Sequence, residues 1–246
     1  MKTNFDDART ALAAQWERLD AWLSVLDEVP AWQSRPSTLP DWTVGELVAH
    51  LGRAFTALTA CEPAPAGTIP LPLAEYLGMY PTRAHEISQV TKALAADIAG
   101  DPLAAIRAEA RAAFTALDAL AGAAPSPGEL VVQARRAPIT LRDMTISRLI
   151  EIVVHAIDLQ DSLQGVVDSR GDACPLLPAA LQIVADELLR IVVMRGGWSV
   201  SVRDPRLWVQ LATGRRSYDT DALARALEPQ FTSDSIPDLG RVLPIL

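Results

Sequence analysis

Apolar positions recur at intervals of three and four through the first two thirds of the chain, the period of helices buried on one face. The pattern predicts a first helix over about residues 5–28, ended by Pro30 and the SRPSTLP stretch. A second follows in DWTVGELVAHLGRAFTALTA, and the T-x-x-E spacing of Thr43 and Glu46 places its start near Thr43. The proline-rich CEPAPAGTIPLP must be a loop. A third helix is expected from about Leu73 to Ile98, kinked at Pro81, and a fourth from Asp101-Pro102 to near Leu120. VVQARR reads as a short extended piece, and Thr140 opens a helix running to about Leu163.

The pattern changes in the last third. LPAALQIVADELLRIVVMRG is one more helix, closed at Gly196-Gly197. WSVSVRD alternates like a strand, LWVQLAT reads as a second strand, and DTDALARALE as a short helix. The expected fold is therefore mainly helical α+β. A four-helix bundle over residues 1–165 is followed by a small α+β lobe over 170–246, with VVDSRGDACP as the linker.

One helix breaks the simple amphipathic rule. LIEIVVHAIDL, Leu149 to Leu159, is apolar over a wide arc yet holds Glu151, His155 and Asp158. At about 100° per residue, Ser147, His155, Asp158 and Ser162 fall within about 40° of Glu151. One reading is a narrow stripe that faces water. However, such stripes are usually rich in lysine or arginine, and here Arg148 lies only at the edge. Short carboxylates and an imidazole are ligand types. If the stripe points into a bundle, a divalent cation would compensate a buried carboxylate.

A cation needs a further ligand, and the chain has only two other histidines. His85 sits among polar residues in PTRAHEISQ and is expected to face solvent. His50 lies at the edge of an apolar helix face with Ala54 and Ala57 beside it. His50, Glu151 and His155 are thus the economical metal-ligand set. Two histidines and one carboxylate leave a coordination position open, as catalytic zinc sites do. Asp158, one turn from His155, could orient that imidazole or be a plain surface acid.

Composition narrows the setting. With 50% hydrophobic and 21% charged residues, the 246-residue chain is globular, and no apolar run is long enough to span a membrane. The N-terminus carries acids where a secretory signal needs basic and apolar runs, so a cytoplasmic location is expected. A net charge of −8 argues against nucleic acid as a partner, and no convincing basic patch stands out. Cys61 and Cys174 form no metal-type pair and are expected to be reduced thiols. Lys2 and Lys92 are the only lysines, so nearly all positive charge is arginine.

WTVGELVAHL followed by EIVVHAIDL resembles the metal-binding pattern of the mycothiol-dependent maleylpyruvate isomerase family, DinB-like four-helix bundles. DPRLWVQLATGRR and the closing LGRVLPIL are similar to that family's C-terminal lobe, described in many relatives as sterol-carrier-like. The resemblance implies that His50, Glu151 and His155 bind a divalent metal, zinc above all. It also implies an active-site arginine in the C-terminal lobe, best matched by Arg215, with Arg216 adjacent. Mycothiol, or a similar small thiol, would be cofactor or co-substrate, an actinobacterial trait. The reaction would be isomerisation or S-transfer on a small-molecule electrophile.

Three other readings stand beside this one, among them a structural metal site with no turnover. A metal-dependent hydrolase would use the same ligands to activate water. A non-catalytic, sterol-carrier-like protein would enclose an apolar ligand, with tryptophans 16, 22, 32, 42, 198 and 208 available to line it or to serve as ordinary core.

Overall fold

The structure, a computed structural model, describes residues 2–168, 170–231 and 235–245. Ser169 of the expected linker and the last residue of LGRVLPIL lie outside them. Four long helices build the frame: α1 (Phe5–Leu23), α2 (Val44–Thr59), α5 (Pro102–Gly122) and α6 (Leu141–Ser162). Between α2 and α5 come the short α3 (Leu73–Leu77) and then α4 (Ala84–Asp97), which packs on α2. Within the frame α2 packs on α5 and α6, and α1 on α6.

Local signals set the helix starts. Thr43 and Glu46 form a complete capping box, with Thr43 Oγ1 accepting from the Glu46 amide at 3.2 Å and Glu46 accepting from the Thr43 amide at 2.7 Å. Gly45 brings the first turn of α2 against the Gln33 carbonyl, which would lie 2.9 Å from any Cβ there. Asp101 caps α5, with Pro102 in its first turn, and Thr140 caps α6.

Three small strands form an antiparallel sheet in the order β1 (Glu62–Pro63), β2 (Val131–Gln133), β3 (Pro138–Thr140). The β2–β3 hairpin pairs Val131 with Thr140 and feeds directly into α6. Its tip therefore carries Arg135 and Arg136 to the end of the bundle where α6 begins.

The C-terminal segment comprises α7 (Pro178–Gly196), β4 (Val200–Val202), α8 (Pro205–Ala212), α9 (Thr220–Ala226) and β5 (Leu227–Pro229). Helix α7 packs on α6 and α1, α8 on α7, and β4 pairs antiparallel with β5. A cluster of buried apolar side chains runs without a break from Phe5 to Ile245. Trp16, Trp22, Trp32 and Trp208 belong to it, so these tryptophans are core.

Three expectations are corrected. LWVQLAT is helix α8, not a strand. Its apolar run is too short for its period to be decisive, whereas the Asp204 side chain caps the Leu207 amide at 3.0 Å and Pro205 occupies the first turn. The helix expected over Leu73–Ile98 is two helices, separated around Pro81, which has no amide hydrogen for the helical ladder. The first helix ends at Leu23 and continues as a 3-10 turn over Ser24–Glu28.

One buried charge cluster ties α6 and α7 to the residues that lead into α1. Glu187 accepts from Arg142, from Arg190 Nη2 at 2.8 Å and from the Thr3 amide at 3.0 Å, while Arg142 Nε donates to the Thr3 carbonyl at 2.8 Å. Removing Glu187 would leave Arg142 with the adjacent Asp143 as its one charge partner and Arg190 with none among the described residues. Glu187→Ala is expected to cost about 3–5 kcal/mol in urea unfolding. Burial pushes the Glu187 carboxyl up, but Arg142 and Arg190 outweigh it and hold the pKa below its ordinary 4.5. A depressed carboxylate stabilises fully above its unfolded value and loses that contribution as pH falls through the lower folded value. Melting temperature should therefore fall below about pH 4.5 in the native chain and fall less steeply in Glu187→Gln.

Candidate metal and ligand site

Helix α6 is central: from Leu141 to Leu159 every residue except Glu151 is buried. The polar stripe does not face water. His155 is 6% exposed and Asp158 2%, and Ser147 is fully buried. Glu151, with 15% of its side chain exposed, opens onto a cavity of about 760 Å³.

His50, Glu151 and His155 come together there, with one ligand atom from each lying within 4.8 Å of the others. His155 Nε2 is 3.3 Å and His50 Nε2 is 3.6 Å from the same Glu151 oxygen, Oε2. The two imidazoles meet edge to face with centroids 4.8 Å apart. Each ring is held from behind. His155 Nδ1 lies 2.9 Å from Asp158 Oδ2, and His50 Nδ1 lies 3.3 Å from Thr91 Oγ1 on α4. Trp42 closes edge-on over His50 at 5.2 Å. His85, by contrast, is exposed in the first turn of α4 and does not line the cavity.

Arg215, just beyond α8, reaches the other end of this row. Its Nη2 and Nε bond Asp158 at 3.1 and 3.3 Å, and its Nη1 donates to the Thr213 carbonyl at 3.0 Å. It borders the cavity with its guanidinium already engaged. Arg216 does not line the cavity.

The electrostatics follow from this pairing. Burial alone would raise the Glu151 pKa, yet the two imidazoles and the nearby Arg148 charge hold it well below the carboxylate range. Burial lowers His50, with His155 adding to that effect. For His155 burial also acts downward, but Asp158 and Glu151 overcome it and raise its pKa. Asp158 is pulled down against its burial by His155 and Arg215.

The sequence pattern passes over several groups that the fold brings in. Six arginines line the cavity, 53, 83, 135, 136, 148 and 215, in a chain of net charge −8. They come from five separated segments, and no local charge run announces them. Tyr80 joins them: Arg148 donates to its hydroxyl, and the Arg136 guanidinium stacks 3.9 Å from its ring centre. Thr91 carried no signal either. Cys61 is buried, its thiol pushed up to about 11 mainly by burial, and neither cysteine lines the cavity.

The donor set fits a divalent cation. Two imidazole nitrogens, each ring with its outer partner in place, and a carboxylate are borderline ligands of the kind zinc takes.

Among the described residues no helix is long and apolar enough to cross a membrane. No curated protein matches the chain in sequence. A solved structure titled as the crystal structure of the mycothiol-dependent maleylpyruvate isomerase shares the fold, with a TM-score of 0.52 and 17% identity over 83% of this chain and 78% of that one. The family model for the mycothiol maleylpyruvate isomerase N-terminal domain matches residues 12–160, a stretch that spans α2 and α6 and all three candidate ligands. The chain belongs to the mycothiol maleylpyruvate isomerase family.

Proposed function

We propose that this protein is a metal-dependent enzyme that uses a small thiol, mycothiol by family, to isomerise or S-conjugate a small electrophile. The observation that carries the reading is the convergence of His50 Nε2 and His155 Nε2 on one Glu151 oxygen, at 3.6 and 3.3 Å, with both Nδ1 atoms already partnered. His50, Glu151 and His155 would hold the cation, zinc by its donor set, and the cation would favour the ionised form of a thiol, the form that attacks conjugated carbon.

The chain's own residues set up that chemistry. Asp158 accepts the Nδ1 hydrogen of His155 and so leaves the Nε2 lone pair facing Glu151. Arg215 fixes Asp158 through two contacts, and its position at the cavity edge also suits it to a substrate carboxylate. Thr91 performs the same service for His50. Glu151 is a ligand in this reading, not a general base. The absence of either cysteine from the cavity wall supports an external thiol. An arginine-lined wall suits a polar anionic ligand far better than a sterol, which weighs against the carrier reading.

Protein purified without a tag or chelator should contain about one divalent ion per chain by elemental analysis, as expected of a three-ligand site. His50→Ala, Glu151→Ala and His155→Ala should each lose it. Full metal content in His155→Ala would sink the assignment. Asp158→Asn should keep the ion but bind it about 10–100-fold more weakly in a competition titration.

Turnover should require both the ion and an added thiol. With maleylpyruvate as the trial electrophile, thiol-free protein should be inactive. Turnover that is equal with and without thiol would move the reading to hydrolysis by activated water.

A further inference from the structure

Among the described residues, two buried side-chain polar atoms have no hydrogen-bond partner: Arg53 Nη1 and Arg136 Nη1. Both belong to arginines that line the cavity. A buried donor left unsatisfied is unfavourable, more so when charged, so two in one cavity call for an explanation.

Three other arginines of the wall are engaged, and Arg135 is exposed. Arg215 is bridged to Asp158 at 3.1 Å, Arg83 to Glu86 at 2.6 Å, and Arg148 to Tyr80 and Ser147. Arg53 and Arg136 have no carboxylate within ion-pair distance among the described residues. They also share one field: burial and the charges of Arg135 and Arg136 make the protonated form of Arg53 less favourable, with only Glu86 opposing. Elsewhere the fold pairs its buried charges fully, as Arg142 and Glu187 show. The unpaired donors are thus local to this cavity.

Their position relative to the candidate metal ligands is defined by the two central helices. Arg53 follows His50 by three residues on α2, and Arg148 precedes Glu151 by three on α6, so each stands about one turn, roughly 5 Å, from a ligand. Arg136 and Arg148 meet on Tyr80, one over its face and one at its hydroxyl. That hydroxyl accepts from Arg148, and its own hydrogen remains available as a donor to a neighbouring oxygen. Burial holds the phenol protonated, with Arg148 opposing.

We infer that Arg53 and Arg136, with Tyr80 between Arg136 and Arg148, form an oxyanion subsite that grips a carboxylate or phosphate of the substrate about one helical turn from the metal ligands. The planar guanidinium fork matches either group with two parallel hydrogen bonds. The excess of positive charge inside an otherwise acidic chain would also draw anions to the cavity. The subsite deepens the proposed function and rests on it for treating the ligand as a substrate.

Calorimetric titration of maleate, and separately of inorganic phosphate, at fixed ionic strength tests this on native protein, on chelator-treated protein, and on Arg53→Gln and Arg136→Gln. At least one anion should bind native and chelated protein alike and bind each variant at least tenfold more weakly, with metal content unchanged. The stronger of the two anions identifies the group. Ligand-free Arg53→Gln should melt no lower than the native protein, because that half-buried guanidinium makes no ion pair and leaves Nη1 unsatisfied, whereas Arg136→Gln also gives up its stacking on Tyr80. A structural role for Arg53 would instead lower that variant's melting temperature. Unchanged affinity in both variants, or anion binding that vanishes on chelation, would overturn the subsite. Arginine-dependent binding in protein that never holds metal would keep the subsite and remove the metal reading instead.

Discussion

A carboxylate in the buried stretch of a central helix must be neutralised, and Glu151 imposes that requirement on the rest of the molecule. Its neighbours from Leu141 to Leu159 are all buried, so water reaches it only through the cavity. The compensation comes from three directions: His155 on the same helix, His50 across from α2, and the charge of Arg148 one turn back. The α2 contribution depends on register. The capping box at Thr43 and the close approach of Gly45 to Gln33 fix where α2 begins, and therefore which residue faces Glu151 two turns later. The packing of the bundle and the convergence of the candidate ligand residues are one problem with one solution.

The polar stripe of α6 organises the site along its length. Arg148 and Tyr80 lie at one end, Glu151 and His155 in the middle, and Asp158 with Arg215 at the other. The far end is sealed by chain from outside the bundle. The Thr38 amide donates to Ser162 Oγ at 2.9 Å, and Ser162 in turn donates to the Asp158 carbonyl at 2.6 Å. The C-terminal segment adds Arg215 on the same aspartate. This gives that segment a part in the site that does not depend on forming a pocket of its own: it fixes the group that fixes His155.

Much of this was legible in the chain. The helices carried their own caps, and the scarcity of histidine left one economical ligand set, which the fold brings within 4.8 Å. What stayed hidden has a common cause. Thr91, Tyr80, Arg53 and the Arg135–Arg136 pair act through contacts between distant segments, and neither periodicity nor spacing records such contacts. Arg135 and Arg136 looked like the polar end of an extended piece, because only the β2–β3 hairpin turns them toward the cavity. LWVQLAT misled for a local reason. An alternating apolar run of that length suits a strand or a wholly buried helix equally, and the Asp204-Pro205 start signal was the better guide.

Two buried clusters of the same residue types show how the chain separates stability from chemistry. Around Glu187 the charges are closed on themselves: two arginines, the Glu187 and Asp143 carboxylates and a backbone amide satisfy one another and join α6 and α7 to the residues that lead into α1. Around Glu151 the groups are ordered but left incomplete, with two imidazole nitrogens aimed at one oxygen and two guanidinium nitrogens aimed at none. An arrangement of the second kind is unfavourable on its own and persists because the apolar cluster around it is continuous and well filled. The incomplete pairing is confined to one cavity wall, and it is the feature on which the proposed metal and oxyanion sites rest.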